Sequence, residues 1–152
     1  MHVVLVEPEI PQNTGNIART CVMTATKLHL VEPLGFSLSE KEVRRSGLDY
    51  WQYLNLEVHC NYKSLTEHYP KSRMICFSTK GSRHYHNMQY RASDFLVFGS
   101  ETKGLSPVIL QSAEHVLRIP MVDNIPRSLN LGNTVALVLY EALRQHDFPA
   151  MQ

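Results

Sequence analysis

A series of short apolar runs, each ended by proline, glycine or polar residues, is the feature that most constrains the fold of this chain. The first run, HVVLV at residues 2–6, is followed by Pro8 and Pro11, and the run FLVFG at 95–99 is apolar on both of its faces. Such runs are typical of strands buried inside a sheet. Further strands are predicted at residues 28–32, 54–59, 73–78 and 116–119, with 95–99 as the clearest central strand.

Segments with helical character separate these runs. Ser39 and Glu42 form a capping box ahead of a short helix, and Ser106 before Pro107 is a typical start for another. The predicted helices cover residues 13–26, 41–45, 64–69, 106 to about 114, and 133–146. Strands that alternate with helices predict an α/β fold, in which a mostly parallel sheet has helices on both faces.

Length and charge limit the possible functions. A chain of 152 residues is expected to form one domain spanning residues 1–152. Fifteen Lys plus Arg against fourteen Asp plus Glu leave a net charge of +1, which excludes a generally basic surface for non-specific nucleic-acid binding. No run approaches the ~18 apolar residues of a membrane span, and Glu7 and Glu9 stand where a signal peptide would still be apolar. We therefore expect a cytoplasmic protein with no membrane or DNA partner.

Cysteine and histidine form no sequence pattern that is typical of a metal site. The three cysteines have no CxxC spacing, so neither a disulfide framework nor a zinc knuckle is predicted. Of the eight histidines only His84 and His86 are close together, and no Cys or acidic cluster adjoins them. We expect no metal cofactor, and a solvated loop is the alternative to a metal site at these two histidines.

The last predicted helix contains a segment that is apolar all the way round, VALVLY at residues 135–140. A surface helix of a small monomer presents a polar face to water, so this segment needs cover on more than one side. A second subunit in a homodimer is one way to cover it. A central position within a single chain is the other.

Three loops of unusual composition, at residues 7–16, 99–106 and 120–133, each follow a predicted strand. In a parallel α/β sheet, ligands bind beyond the carboxyl ends of the strands, where such loops gather. The first loop places Asn13 and Gly15 ahead of a helix, whose free backbone N–H groups suit an anion such as phosphate. Arg19, on the first turns of that helix, could point at the same ligand. An ordinary N-cap beside a surface arginine is the alternative.

The other two loops add glycine, charge and amides. Gly99 and Gly104 allow tight turns and close approach of the backbone to a ligand, with Glu101 and Lys103 between them. The segment lacks the GK[ST] ending of a Walker A motif, and the chain contains no GxGxxG. The third loop brings polar side chains, which bind a ligand or cap the helix, into the last helix: Ser128, Asn130 and Asn133. Together the three loops predict one binding site.

Basic and aromatic residues are interleaved in the polar stretches. The basic ones are Arg44, Arg45, Lys80, Arg83, Arg91 and Lys103, and the aromatic ones are Tyr50, Trp51, Tyr85 and Tyr90. Aromatic rings near arginines suit stacking on unpaired RNA bases. A solvated rim with half-buried tyrosines is the other interpretation.

The three loops, in this order, resemble the three motifs of the SPOUT RNA methyltransferases. The resemblance covers nearly the whole chain, through EPEIPQNTGNIART (7–20), EPLGF (32–36), RRSGLDYW (44–51), STKG (78–81), FGSETKGL (98–105) and IPRSLNLGNTVALVLYEALRQ (125–145). The chain is most similar to the small group that methylates the ribose 2′-OH of the wobble nucleotide, position 34, of tRNA.

The resemblance implies a deep trefoil knot in the C-terminal third, an obligate homodimer, and S-adenosylmethionine as the cofactor, with no metal. By position, the cofactor contacts of the family fall on Phe77, Ser78, Gly99, Glu101, Ile119, Met121, Ser128, Leu129 and Asn133. Many of these contacts would be made by backbone groups, because an N–H or C=O group can read the adenine edge whatever the side chain.

The resemblance also implies catalytic and RNA-binding residues. The catalytic set is Asn13, Arg19, Ser128, Asn130 and Tyr140. We expect Arg19 to hold the phosphate beside the target ribose and to stabilise the developing alkoxide, because a guanidinium is too weak a base to accept the proton. The anticodon stem-loop of a tRNA, with leucine isoacceptors expected, would lie across the dimer against Arg44, Arg45, Lys80, Arg83 and Arg91.

One departure from the family pattern concerns the glycine loop, which reads GSETKG where relatives often have GPETRG. Ser100 replaces the proline, and Lys103 offers a point charge where relatives have a planar bidentate donor. The alternative functions are a 2′-O-methyltransferase for another tRNA or rRNA position and a knotted RNA-binding protein without catalysis. The presence of Asn13, Arg19 and Glu101 together favours an active enzyme.

Overall fold

One parallel sheet organises the computed structural model of this chain, which describes residues 1–38, 49–124, 127–149 and 151. Its strands are β1 (His2–Val6), β2 (Lys27–Val31), β3 (Leu56–His59), β4 (Met74–Phe77), β5 (Arg83–His84), β6 (Phe95–Phe98) and β7 (His115–Arg118). They lie in the order β3-β2-β1-β6-β4-β7-β5, and every neighbouring pair is parallel. The prediction that the run at 95–99 forms the central strand is confirmed, because β6 is fourth of the seven.

Four helices among the described residues pack against this sheet: α1 (Pro11–Met23), α2 (Tyr62–His68), α3 (Pro107–Ser112) and α4 (Leu131–Arg144). Successive side chains of a strand point to opposite faces, so the strands feed two separate cores. One core joins Leu5, Leu30 and Leu96 to α1 and α4, and the other joins Val4, Cys76 and Val97 to α2 and α3. The predicted α/β architecture, with helices on both faces, is confirmed.

Local chemistry sets the helix boundaries, which differ from the predicted ones by several residues. α1 begins at Pro11, two residues earlier than predicted, because proline at the first helical position loses no hydrogen bond. It ends at Met23, and Ala25 already has a positive φ of 49°. α4 begins at Leu131 because the Asn130 side chain caps it. Asn133 therefore lies inside the first turn.

Several elements were missed or lie elsewhere. The predicted strand at 54–59 is shortened at its start, where a 3₁₀ helix over Asp49–Tyr53 precedes it. The two-residue edge strand β5 and the 3₁₀ turn Tyr85–Asn87 were not predicted, because neither contains an apolar run. The predicted capping box at Ser39 and the helix at 41–45 lie outside the described residues. None of the helices among the described residues is long and apolar enough to span a membrane.

The last helix, α4, packs on one face of the sheet beside α1, with its other side exposed to solvent. Val135, Val138 and Leu139 are fully buried against α1 and the strands, whereas Leu137 is 38% exposed and Tyr140 42% exposed. A helix enclosed within one chain would bury both of these side chains. The structure therefore disagrees with the alternative in which this chain alone surrounds the helix.

Candidate functional site

A cleft of about 440 Å³ lies beyond the carboxyl ends of β1, β4, β6 and β7. All three loops that were singled out in the sequence contribute to its lining, together with the segment that follows β4. Eight of the nine residues expected to contact a cofactor line it: Phe77, Ser78, Gly99, Glu101, Ile119, Met121, Ser128 and Leu129. The convergence follows from topology, because every strand of a parallel sheet ends at the same edge.

Glu101 is the centre of the polar network in this cleft. Its carboxylate accepts hydrogen bonds from the backbone N–H groups of Glu9 at 2.8 Å and Ile10 at 3.2 Å, and from the side-chain amide of Asn13 at 3.0 Å. These donors lie at the N-terminus of α1, where the helix dipole favours a negative charge. A carboxylate of the protein itself therefore lies at the N-terminus of this helix, where the sequence allowed either an anion site or an ordinary N-cap.

A second carboxylate connects the same two loops in the opposite direction. The Glu9 carboxylate accepts hydrogen bonds from the Thr102 hydroxyl at 2.7 and 2.8 Å and from the Thr102 backbone N–H at 3.2 Å. Hydrogen bonds to ionised groups are about twice as strong as neutral ones. The loop after β1 and the loop after β6 are therefore held in one fixed arrangement.

Asn13 and Asn130 extend this network to the third loop. The Asn130 side-chain amide donates to Asn13 Oδ1 at 2.9 Å. Asn130 Oδ1 in turn accepts from the backbone N–H groups of Gly132 at 2.8 Å and Asn133 at 3.3 Å, which caps α4. The Asn133 side chain is exposed and does not line the cleft, so only its backbone N–H takes part in this network. Three sequence-distant loops are thus joined through Glu101, Asn13 and Asn130.

The glycine loop folds back on its own backbone. A Cβ atom added at Gly99 would lie 2.0 Å from the carbonyl carbon of Gly104, so no larger residue fits there. Gly104 has a positive φ of 67°, and its N–H donates to the Ser100 carbonyl at 2.9 Å. At Gly99 the absence of a side chain lets the loop pack on its own backbone, while Gly99 also lines the cleft.

The floor of the cleft is apolar and its rim is polar. The rings of Phe77 and Phe98 stack with centroids 4.8 Å apart and an interplanar angle of 12°. Ile119 and Leu129 add further apolar surface, while Ser78 and Ser128 lie on the polar side. This combination of flat apolar surface and convergent polar groups is typical of a site for a small organic cofactor.

Two of the five expected catalytic residues are separated from this cleft. Asn13, Ser128 and Asn130 line it, but Arg19 and Tyr140 do not. The guanidinium carbon of exposed Arg19 lies 5.1 Å from the ring centroid of Tyr50, whose hydroxyl donates to the Gly15 carbonyl at 2.8 Å. Tyr140 is on the outer side of α4, with its ring 6.3 Å from that of Phe148. Within one chain, neither side chain reaches the cleft.

The expected RNA-binding residues are dispersed. Lys80 lines the cleft, while Arg83 and Arg91 are exposed outside it and the Arg83 guanidinium donates to the Asn87 carbonyl. Arg44 and Arg45 lie outside the described residues. Sequence reasoning missed Arg127, an exposed cation in the cleft lining. Its position directly before Ser128 in the third loop was the available signal.

The fold and the site together define a class: an α/β protein that binds a small cofactor at the carboxyl edge of a parallel sheet. The particular family follows from comparison with known proteins. The model of the SpoU rRNA Methylase family matches residues 1–140, and this chain belongs to that family.

Three known proteins illustrate the similarity. A tRNA (cytidine(34)-2′-O)-methyltransferase from Methylovorus glucosotrophus is 49% identical over 148 residues, which cover 96% of each chain. A solved structure described as "Structural insights into the 2-OH methylation of C/U34 on tRNA" is 41% identical, with a TM-score of 0.90 and coverage of 96% of this chain and 95% of that one. The SpoU methyltransferase AviRb from Streptomyces viridochromogenes, in complex with the cofactor AdoMet, shares the fold at 22% identity, with a TM-score of 0.84 and coverage of 97% and 60%.

Proposed function

We propose that this protein transfers a methyl group from S-adenosylmethionine to the ribose 2′-OH of nucleotide 34 of tRNA. Family membership and a 49%-identical relative of that name, matched over 96% of both chains, support the reaction class. The cross-linked cleft is the observation in this chain that carries the proposal. The proposed tRNA substrate implies a cytoplasmic site of action.

The cleft fits the proposed cofactor. Its volume of about 440 Å³ falls within the range of small-molecule sites. Phe77, Ile119 and Leu129 would cover the apolar adenine ring, and backbone groups at Ser78, Gly99 and Met121 would read its polar edge. When bound, the cofactor supplies an electrophilic methyl group attached to a sulfonium.

The side chains of the protein would orient the acceptor hydroxyl and stabilise the charge that develops on it. Asn13 and Asn130 are fixed by each other and by Glu101, so they offer a preorganised polar wall at small entropic cost. Ser128 lies beside them in the lining. Arg19 would hold the phosphate next to the target ribose and stabilise the developing alkoxide.

We propose a homodimer in which the outer sides of α1 and α4 face a second subunit. Met23 on α1 is 60% exposed, and Leu137 and Tyr140 on α4 are 38% and 42% exposed. Burial of these apolar side chains favours association. In such a dimer, Arg19 and Tyr140 would be available to the cleft of the neighbouring subunit. Sedimentation of the full chain should give a dimer, and Leu137→Asp should shift it toward monomer; a wild-type monomer contradicts this assembly.

Shared sites can be tested by complementation. Arg19→Ala and Gly99→Ala chains, each inactive, would be co-expressed and the mixed dimers assayed. Random pairing makes half of the dimers mixed, each with one intact composite site, so roughly a quarter of wild-type activity should return. No recovery would mean that Arg19 serves its own chain.

We also propose that the C-terminal third forms the trefoil knot of the family and that the tRNA anticodon stem-loop lies along the cleft rim. Lys80 and Arg127 at the rim would contact phosphates, and so would Arg83, Arg91 and the two arginines at 44 and 45. Charge reversal at Arg44 and Arg45 should raise the KM for RNA and flatten its salt dependence while cofactor binding stays unchanged. An unchanged KM would exclude this face.

One experiment tests the proposed reaction as a whole. The purified protein would be incubated with labelled S-adenosylmethionine and total tRNA in one reaction, and with labelled S-adenosylmethionine and rRNA in another. Label in tRNA supports the proposal, whereas label in rRNA supports a different substrate. Calorimetric binding of the cofactor without any transfer would indicate a binding protein without catalysis.

A further inference from the structure

Three histidine rings form a row across the sheet, on the face covered by α2 and α3. His2 Nδ1 lies 2.9 Å from His29 Nε2, and His29 Nδ1 lies 3.0 Å from His59 Nε2. His29 is fully buried, and His59 is 7% exposed. The rings belong to β1, β2 and β3, whose pairing register places them diagonally across the sheet. None of them lines the cleft.

Glu57 on β3 faces the end of this histidine row. Its Oε2 atom accepts hydrogen bonds from the Lys27 ammonium at 2.6 Å and the Tyr69 hydroxyl at 2.7 Å. Its Oε1 atom lies 3.5 Å from His59 Nε2 and 3.8 Å from His68 Nε2. One carboxylate oxygen is therefore anchored, and the other is turned toward imidazole nitrogens.

The donor atoms of His29, Glu57 and His59 all lie within 4.8 Å of one another. Around a tetrahedral zinc ion with bonds of about 2.0–2.1 Å, neighbouring donors are separated by roughly 3.3 Å. The observed separations of 3.0 Å between the two imidazoles and 3.5 Å from His59 to Glu57 are close to that value. Two imidazole nitrogens and a carboxylate oxygen are also ligands that zinc accepts.

We propose that His29 Nδ1, His59 Nε2 and Glu57 Oε1 bind a divalent transition-metal ion of the zinc type, and that the exposed His68 side chain turns inward to supply Nε2 as the fourth ligand. The ion takes the place of the proton that the two imidazoles share in the metal-free row. The His29 ring then carries its proton on Nε2 and donates it to His2 Nδ1. Such an outer hydrogen bond fixes the orientation of a ligating imidazole.

The side chains around the proposed metal site leave a path for the ion from solvent and indicate what a bound ion would do. The Glu57 and His68 side chains are 27% and 64% exposed, so an ion can reach the buried nitrogens from solvent. The ligands come from β2, β3 and α2, so a bound ion would join these three elements. It lies outside the cleft and takes no part in methyl transfer; its effect is on the stability of the β1–β3 half of the sheet.

The experiment uses the full chain, freed of metal with a chelator. One sample is titrated with zinc chloride and a separate sample with cobalt chloride. We expect one equivalent of zinc per chain, a visible absorption band of tetrahedral cobalt, and a rise in the unfolding temperature. Glu57→Gln and His59→Gln should abolish this binding. The matched control is the double substitution His84→Gln and His86→Gln, which alters a histidine pair outside the row, with ring centroids 5.5 Å apart, and should leave binding unchanged.

Two milder variants decide the matter if a buried substitution unfolds the chain. His68→Gln removes an exposed ligand, and Tyr69→Phe removes only the hydroxyl that anchors Glu57. Each should weaken zinc binding by roughly 10- to 100-fold. Absence of saturable binding to the wild-type chain, binding unaltered by both variants, or binding lost only in the His84 and His86 control would overturn the proposal.

Discussion

The cleft and the histidine row are two polar regions on one sheet, and they differ in where their side chains originate. The cleft takes its polar groups from loops beyond the strand ends, and these groups hydrogen-bond across loops around an open space. The histidine row takes its groups from inside the strands, where the rings hydrogen-bond to one another on the face of the sheet that packs against α2 and α3. Polar groups at strand ends can be rigid and still face a ligand, whereas those within strands act mainly on the folded state.

The largest expected effect is at Gly99, where a substitution should disrupt the cleft and leave the histidine row intact. Gly99→Ala places a methyl group 2.0 Å from the Gly104 carbonyl carbon, so the glycine loop must move and the cleft loses its shape. We expect cofactor binding to fall by more than ~100-fold, because a preorganised site loses its geometry. Zinc binding at the histidine row should persist in the same variant. Isothermal titration with each ligand measures both effects.

Gly104→Ala is the matched control, because nothing lies within 4 Å of an added Cβ there and only the positive φ of 67° is strained. It should cost about 1–2 kcal/mol of folding free energy and retain cofactor binding. Equal cofactor affinity in the Gly99 and Gly104 variants would contradict the role assigned to the folded-back loop.

The next largest effect is expected at Arg19. Arg19→Ala should reduce the rate of methyl transfer by roughly 10²- to 10³-fold, because it removes a positive charge next to the developing alkoxide. Cofactor affinity should stay the same, since Arg19 is proposed to contact the RNA phosphate and the acceptor oxygen and not the cofactor. Single-turnover rates with tRNA, set beside calorimetric cofactor binding, separate these two quantities. A parallel loss of both would assign Arg19 to cofactor binding instead.

A smaller effect is expected from Glu101→Gln, which keeps the shape of the side chain and removes its charge. The three hydrogen bonds from Glu9, Ile10 and Asn13 would lose their charge assistance, and an amide nitrogen would face donors. The free energy of unfolding should fall by about 1–3 kcal/mol, and cofactor affinity by roughly 10-fold. Denaturant titration of this variant beside Thr102→Val, which loses only the hydroxyl hydrogen bonds to Glu9, ranks the two cross-links. An unchanged stability in Glu101→Gln would contradict the network.

A last comparison concerns pH and separates the two regions in metal-free protein. Burial, with added repulsion from neighbouring positive groups, lowers the pKa of His2 to about 4 and that of His29 to about 3. Because the unfolded chain takes up these protons near pH 6.5, the unfolding free energy should decline as pH falls from about 6.5 toward 4. The ionisable groups that surround these rings are the N-terminus, Lys27, Glu57, His59 and Tyr69.

His2→Gln should flatten this decline, since it removes one of the two titrating rings, while Glu101→Gln in the cleft should leave its slope unchanged. Denaturant titrations between pH 7 and pH 4 in the presence of a chelator provide the measurement. A wild-type stability that does not change over this range would contradict the assignment of acid sensitivity to the histidine row.

The sequence predicted those parts of the molecule that depend on local pattern and general topology. The apolar run at 95–99 was enough to identify the central strand, and the parallel sheet brought the three polar loops to one edge. The partners of Glu101 were beyond reach, because they are 88 to 92 positions away and depend on how loops meet in space. The contact between Gly99 and the Gly104 backbone was also not predictable, because it depends on how the loop folds back on itself.

The histidine row shows the same limit in another form. His2, His29 and His59 are separated by 27 and 30 residues, and only the strand register brings their rings to one face. The sequence instead drew attention to His84 and His86, which are two positions apart in the chain. Spacing along the sequence finds metal ligands on one loop or helix, but it does not find ligands assembled from two strands and a separate helix.

The site of methylation tests the central claim most directly. A tRNA transcript with a cytidine or uridine at position 34 would be incubated with the purified protein and S-adenosylmethionine, and then digested and analysed by mass spectrometry. We expect one added methyl group on the ribose of nucleotide 34, and none with a 2′-deoxy nucleotide at that position. A methyl group on a base, on another nucleotide, or on the 2′-deoxy substrate would contradict it.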